Sequence, residues 1–383
     1  MRAFIHVQHL LGTGHTVRAC LIGQALARKG VEVTLACGNT PPPTLDCSGL
    51  IVHQLPPVRS KTVVFDELID ENGKTIDENW WQRRCKETEE LFLSKPFDLL
   101  LTETFPFGRR AFTRELTPLL ELARTQKKPP LIACSIRDIL VRKDKLAKEQ
   151  WMAEMARRYY DLVLVHSDPS LIELKDSFPF YDEIRSLVSY TGFVSTGRKT
   201  NLTTTNERGE IIVSCGGGAV GLHLLENASQ AAKLAMNDGL PNWRLLVGHD
   251  INEEAFERLK AQATPNTTIE RARPDFPALL ERAALSISQA GYNTVIDILR
   301  ANQRCILVPF AQGVESEQTQ RACSLEQRGR AIVLEEATLT PEALLSAVKQ
   351  GLHRSLPNLS VSLDGAKRSA DILLNRMEAR RFP

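Results

Sequence analysis

One stretch constrains this chain more than any other: Ser288-Gln289-Ala290-Gly291-Tyr292-Asn293-Thr294-Val295-Ile296-Asp297. The run Ala283-Ala284-Leu285-Ser286-Ile287 before it is short and apolar, fit for a buried strand, and Val295, Ile296 and Leu299 follow at helical spacing. A strand that turns through glycine into a helix points backbone N–H groups and a positive dipole end at one spot, which suits a phosphate. Asn293 and Thr294 add side-chain donors there, and Asp297, one turn into the helix, offers a carboxylate to a ribose diol. A second apolar run, Cys305-Ile306-Leu307-Val308, leads through Pro309-Phe310 to Glu317 and Gln318, a polar pair of the kind that grips sugar hydroxyls. The alternative is an ordinary βα turn that carries Gly and Asn for its own conformation.

At 383 residues the chain is long enough for two domains, each with its own core. A charged fraction of 25% and an apolar fraction of 43% describe a soluble globular protein, and a net charge of +2 gives no overall field for nucleic acid. Eight cysteines, at 20, 37, 47, 85, 134, 215, 305 and 323, include no CxxC pair, which reads as a reducing, cytoplasmic setting without structural zinc. No apolar run approaches the roughly 20 residues of a membrane span.

Ala3 to Val7 reads as a strand, Leu11-Gly12-Thr13-Gly14-His15-Thr16 as a glycine turn, Val17 to Lys29 as a helix, and Val31 to Cys37 as the next strand. This is a parallel βαβ unit, and hence an α/β chain. The turn is not a dinucleotide fingerprint, because Val17 stands where the third glycine of GxGxxG belongs. Residues 51–55 read as a third strand, and 56–81 as a long irregular segment before a helix that Trp80-Trp81 open; that segment is either a wall of a binding site or a surface excursion. Phe97 to Thr104 reads as a strand whose end carries Glu103, on the ligand side of an open α/β sheet together with His15. The basic run Arg137, Arg142, Lys143, Lys145, Lys148 is a solvated helix face or a contact for an anionic acceptor or membrane surface.

Residues 1–195 thus make a first Rossmann-like domain and 196–209, rich in Thr, Asn and charge, a linker. A second domain over 210–360 begins with a strand and the loop Cys215-Gly216-Gly217-Gly218-Ala219-Val220-Gly221, where glycines either admit a ligand closely or relieve a tight turn. Residues 361–383 hold a final helix.

The stretch around Gly291 resembles the donor-binding region of inverting GT-B glycosyltransferases that use nucleotide diphospho-sugars. It is similar both to the family 28 type, which includes the bacterial N-acetylglucosaminyltransferase of the lipid-linked peptidoglycan precursor, and to the plant-type UDP-glycosyltransferases. The resemblance implies two Rossmann-like domains with parallel sheets facing across a cleft, the first binding the acceptor and the second the donor, with the final helix returning to the first. It implies that Ala290 and Gly291 open the helix beneath the diphosphate, that Asp297 takes the place of a ribose-binding Glu, and that Glu317-Gln318 hold the sugar. Gln289 stands where the plant-type signature has a His, so no phosphate-binding histidine is expected. Gly217 and Gly218 match the glycine loop against the donor, and Ala272-Arg273 the segment whose backbone reads the base. Gly12, Thr13 and Gly14 resemble the acceptor loop, with His15 as the base.

The expected activity is transfer of a hexosyl group from a UDP-sugar or similar donor to a hydroxyl on a small molecule, glycan or lipid, without a metal cofactor. His15 is the candidate base, or else it caps the turn; Glu103 orients it, or else is a structural carboxylate. A sugar-nucleotide epimerase or hydrolase of the same fold, and a catalytically silent sugar-nucleotide sensor, are the competing readings. The expected location is cytoplasmic, with peripheral contact at the inner membrane face as an option.

Overall fold

The structure is a computed structural model of the chain and describes residues 1–10, 13–41, 45–61, 67–195, 209–216, 220–310 and 316–381. The chain divides into two compact units, Met1–Thr196 with Ser362–Pro383, and Gly197–Val361.

The first unit opens with β1 (Arg2–Val7), α1 (Gly14–Ala27), β2 (Glu32–Cys37) and β3 (Ile51–Gln54). A short antiparallel pair, β4 (Arg59–Ser60) and β5 (Leu68–Ile69), follows within the stretch that reads as irregular. Next come α2 (Glu78–Leu93), β6 (Leu99–Glu103), α3 (Thr113–Arg124), β7 (Leu131–Arg137), α4 (Leu146–Tyr159), β8 (Leu162–His166), α5 (Tyr181–Ile184) and β9 (Val188–Tyr190). Seven strands form one parallel sheet in the order β3-β2-β1-β6-β7-β8-β9. β1 shows why both faces are covered. Ala3, Ile5 and Val7 point into a core shared with Ala19, Ile22 and Leu26 of α1, while Phe4 points into the opposite core with Leu100 and Phe92. Successive side chains alternate across the pleat, so an apolar run with no polar face belongs in such a sandwich.

The second unit contains β10 (Ile211–Ser214), α6 (Leu222–Leu234), β11 (Trp243–Val247), α7 (Glu253–Ala261), β12 (Thr267–Arg271), α8 (Phe276–Arg282) and β13 (Leu285–Ser288). It continues with α9 (Tyr292–Arg300), β14 (Cys305–Leu307), α10 (Glu317–Gln327), β15 (Ala331–Val333) and α11 (Pro341–His353). Its six parallel strands run in the order β12-β11-β10-β13-β14-β15.

The last helix, α12 (Gly365–Arg381), packs on α1 of the first unit, burying Ala370, Leu373 and Met377 in the same core as Ile22 and Leu26. The chain arrives there through Phe193 N–H to Ser362 O at 2.8 Å and Gly365 N–H to Phe193 O at 3.0 Å. A Cβ on Gly365 would come within 2.4 Å of Gly192 O, so the junction accepts glycine alone. No helix among the described residues is long and apolar enough to cross a membrane.

Two local differences from the sequence reading matter for function. α1 begins at Gly14, so His15 belongs to the first helical turn and not to the loop. Apolar periodicity starts only at Val17, and the polar Thr16 is nonetheless fully buried. Likewise Glu317 and Gln318 open α10 instead of ending a strand.

Candidate functional site

Open α/β sheets bind ligands beyond the carboxyl ends of their strands, where the strand order reverses. In the first unit that place lies between β1 and β6. The chain leaving β1 reaches His15 in the first turn of α1, and β6 ends on Glu103, which is buried. His15 Nδ1 lies 3.0 Å from Glu103 Oε1. The same oxygen accepts from the Arg18 guanidinium, one turn along α1, and from the Thr104 hydroxyl at 3.1 Å. Glu103 Oε2 accepts from Ser135 Oγ of β7 at 2.5 Å. Ser135 lies 2.8 Å from His166 Nε2 at the end of β8, and His166 Nδ1 lies 2.8 Å from Thr191 Oγ1. A buried polar chain therefore runs from His15 across β6, β7 and β8.

Burial on its own would raise the Glu103 carboxyl, but the Arg18 charge and the His15 hydrogen bond outweigh it and hold the group well below the carboxylate range. Arg18 Nη2, a donor, also lies 3.1 Å from His15 Nδ1 but is committed to Glu103 Oε1; an ionised carboxylate only accepts hydrogen bonds, so the proton between His15 and Glu103 belongs on Nδ1 and the lone pair on Nε2. Burial pushes His15 down to about 3; its bond to Glu103 resists, while the Arg109 and Arg18 charges push the same way. The ring is neutral at physiological pH and, at 17% exposure, still open to a small group. Arg109, in the loop that follows β6, has φ 59° and donates from Nε to Gln8 O at 2.9 Å.

In the second unit the order reverses between β10 and β13, and the loop leaving β13 is Gln289-Ala290-Gly291. Gly291 caps α9, and a Cβ there would meet nothing closer than Thr294 Oγ1 at 4.0 Å, so this side of the loop is open. Asn293 is exposed, while Thr294 and Asp297 are half-buried; their spacing of three and four residues places all three on one helix face. Burial pushes the Asp297 carboxyl up to about 6, against the Arg300 charge. Gln289 is buried against the β10 loop: a Cβ on Gly221, whose φ is +104°, would come 3.2 Å from its Nε2 and 2.5 Å from Cys215 Sγ.

α10 meets the Gly291 loop from behind. Gln318 Oε1 accepts from Ala290 N–H at 3.0 Å and from Phe310 N–H at 3.1 Å. Both partners are donors, which leaves the Gln318 amide nitrogen for other use. The fully buried Arg321 donates from Nη1 to Ala290 O at 2.5 Å. Glu317 is the first residue of α10.

Arg273 does not extend towards that loop. Its guanidinium forks onto Asp275 at 2.7 and 2.8 Å and touches Glu270 at 3.4 Å, while the neighbouring Ala272 carbonyl lies 3.0 Å from His249 Nε2. Gly12, Gly217 and Gly218 lie outside the described residues, as does the linker apart from Gly209; Thr13 is exposed and Gly14 opens α1. Part of the basic run is paired locally, Arg142 with Glu149 at 2.9 Å and Lys148 with Asp144 at 2.6 Å. Sequence reasoning missed Arg18, Arg109, Ser135, His166 and Arg321. Arg18, one turn after His15, carried a signal, since i and i+3 share a helix face, and so did His166, a polar residue at the end of an apolar run.

Residues 212–373 match the glycosyltransferase family 28 C-terminal domain. The UDP-N-acetylglucosamine–N-acetylmuramyl-(pentapeptide) pyrophosphoryl-undecaprenol N-acetylglucosamine transferase of Xanthomonas axonopodis pv. citri is 31% identical over 166 residues, covering 41% of this chain and 39% of the relative. The match therefore spans well under two thirds of that relative's length. Among solved structures, MurG of Acinetobacter baumannii superposes with a TM-score of 0.62 at 17% identity, covering 98% of this chain and 100% of that one. The calicheamicin glycosyltransferase CalG4 gives 0.62 at 15% identity over 99% and 95%. These likenesses show the fold.

Proposed function

We propose, from the premise that this chain has the GT-B fold and carries a glycosyltransferase family 28 C-terminal domain over residues 212–373, that it is an inverting hexosyltransferase using a UDP-sugar. The observation that carries the reading is that each unit has its own reversal point furnished for part of the reaction: an open glycine turn into α9 in the second, and a neutral, carboxylate-backed histidine in the first.

On this reading the N-terminus of α9 and the Gly291 loop hold the diphosphate, and Asn293 and Thr294 add donors. Asp297 holds the ribose, while Glu317 and the Gln318 amide nitrogen face the sugar. Gly217 and Gly218 line the donor from the β10 loop, and the backbone at Arg273 reads the base. On the first unit, Gly12, Thr13 and Gly14 shape the acceptor loop. His15 Nε2 takes the acceptor's hydroxyl proton as that oxygen attacks the anomeric carbon; the bond from this carbon to the diphosphate breaks, and UDP leaves from the opposite face. Glu103 stabilises the imidazolium that forms. Helix and loop N–H groups offset the charge that builds on the diphosphate, so the reaction calls for no metal.

The Xanthomonas relative's name gives it a pyrophosphoryl-undecaprenol substrate. Among the described residues the charges acting on His15 are Arg18, Arg109 and the carboxylate Glu103, a net positive set that suits an acceptor bearing phosphate, whether free or lipid-carried. A lipid carrier would bring this chain to a membrane surface as a peripheral protein.

The test is to titrate the full chain with UDP, dTDP and GDP by calorimetry, then to follow UDP release from UDP-N-acetylglucosamine and other UDP-hexoses with and without hydroxyl acceptors, in the presence of a chelator. The reading expects UDP binding, acceptor-dependent release and inversion at the anomeric carbon. Release that ignores every acceptor would make the chain a hydrolase or epimerase, and binding without release a sensor.

A further inference from the structure

We propose that α10 is a positioning element for the donor's phosphates, and that Gln318 and Arg321 act through the loop they hold as well as through any direct contact. The inference rests on the donor reading above and deepens it.

Ala290 is fully buried, yet its peptide groups bond neither strand nor helix. Its N–H goes to Gln318 Oε1 and its C=O to Arg321 Nη1, so both sides of one residue are fixed by a single neighbouring helix. Gln318 Oε1 also takes the Phe310 N–H, which ties the loop leaving β13 to the loop leaving β14. Arg321 in addition lies over the Tyr292 ring, with Cζ 5.8 Å from its centroid. The two residues flanking Gly291 are thus both held by Arg321, while Gly291 itself faces open space.

The consequence is geometric. A helix leaves its first N–H groups without intrahelical partners, and their value to a phosphate depends on their aim. The Ala290 C=O and the Gly291 N–H share one planar peptide, so rotation of that peptide would turn the Gly291 N–H away. Gln318 and Arg321 block that rotation from the two ends of Ala290. Gln318 then has two separable jobs: its oxygen sets the loop and its nitrogen is left for the sugar.

The experiment uses the full chain with Gln318→Met, which keeps side-chain length but loses the acceptor oxygen, and with Arg321→Met and Arg321→Lys. Affinity for UDP is measured by calorimetry and affinity for uridine by ligand-observed NMR, with melting temperature as the check on folding. Gln318→Met and Arg321→Met should weaken UDP about tenfold, as expected for the loss of one charge-assisted contact, while uridine changes by less than about twofold. Arg321→Lys, which keeps the charge and can still reach Ala290 O, should recover most of the UDP affinity. If Arg321→Met does not fold, Gln318→Met and Arg321→Lys decide. Unchanged UDP affinity in folded Gln318→Met overturns the proposal, and so does an equal loss of UDP and uridine, because the residues would then merely hold the domain together. A parent chain that binds no nucleoside diphosphate removes the donor site itself, and this inference with it.

Discussion

His15 and Asp297 have had their proton affinities moved in opposite functional directions by the same physical cause. Burial lowers the imidazole to about 3 and raises the carboxyl to about 6, in each case by disfavouring the charged form. For His15 the result is an imidazole that stays unprotonated through the physiological range, as the proposed base must. The pH profile of kcat at saturating donor should therefore run flat down through pH 5, with no inflection near the ordinary histidine value of 6.5, and His15→Ala should lower the plateau by about a hundred- to ten-thousandfold while leaving UDP affinity unchanged. An inflection near 6.5 in the parent, or near-full activity in the variant, moves the base elsewhere. For Asp297 the ionised form, the one the proposed ribose contact calls for, gives way below about pH 6. UDP-sugar affinity should drop between pH 7.5 and 5, Asp297→Asn should flatten that dependence, and Asp297→Ala should cost about 1–3 kcal/mol at neutral pH. Dependence that is identical in the Asn variant would take Asp297 out of the site. Gly291, His15 and Glu103 were legible in the sequence because glycines and lone polar residues at the ends of apolar runs mark strand-to-helix turns. His166 ends an apolar run in the same way and could have been named; Ser135, inside β7, could not. A polar residue in a buried strand is ordinary, and its partner is set by strand order, which neighbouring residues in sequence do not state.

Elements were readable where their cores are periodic and obscure where their ends are polar. The strands Arg2–Val7 and Leu99–Glu103 are near-continuous apolar runs, and both fall where expected. The first turn of α1 escaped because Gly14, His15 and Thr16 carry no apolar period, although Thr16 is buried on His9, with 2.7 Å between Oγ1 and Nδ1. Gln318 could be named as a candidate from the sequence, but the direction of its oxygen depends on a loop 28 residues away. At this scale α12 makes the sharpest stability prediction. It is the last element of the chain, yet its Leu373 is fully buried among Ile22, Leu26 and Ala19 of α1. Leu373→Ala should destabilise the first unit by about 2–5 kcal/mol through lost transfer energy and the cavity left behind. Because α1 carries His15, activity should fall with temperature earlier than in the parent. UDP binding by the second unit should survive. Equal loss in both units, or no loss, would contradict this placement of α12.

The two units should respond to acid in opposite ways. In the first, burial and the Arg18 charge push His166 down to about 3, as burial and the neighbouring arginines do His15, and burial with the Arg109 charge lowers His9 as well. An unfolded histidine takes up its proton near 6.5. Between that value and about 3 the unfolded chain binds more protons than the native one, so stability rises with pH across this window and is lost on acidification. For His15 and His166 the loss at pH 5 is about 2 kcal/mol each. Glu115 works in the same sense further down: burial would raise it, but Arg84 and His6 hold it at about 2, so its contribution is present above the unfolded value of 4.5 and fades as pH falls towards 2. In the second unit Asp297 reverses the sign. Its native value of about 6 exceeds the unfolded 3.8, so its contribution is present below 3.8 and is lost as pH rises through 6. Moving from pH 7.5 to pH 5 should therefore lower the melting temperature of the first unit and spare the second, opening a gap between two calorimetric transitions. Tryptophan emission assigns them, since Trp80, Trp81 and Trp151 belong to the first unit and Trp243 alone to the second. In Trp243→Phe the remaining emission should follow the acid-sensitive transition. A single transition that keeps its midpoint between pH 7.5 and 5 would show that these histidines charge in the native state, and the neutral His15 on which the proposed chemistry depends would go with it.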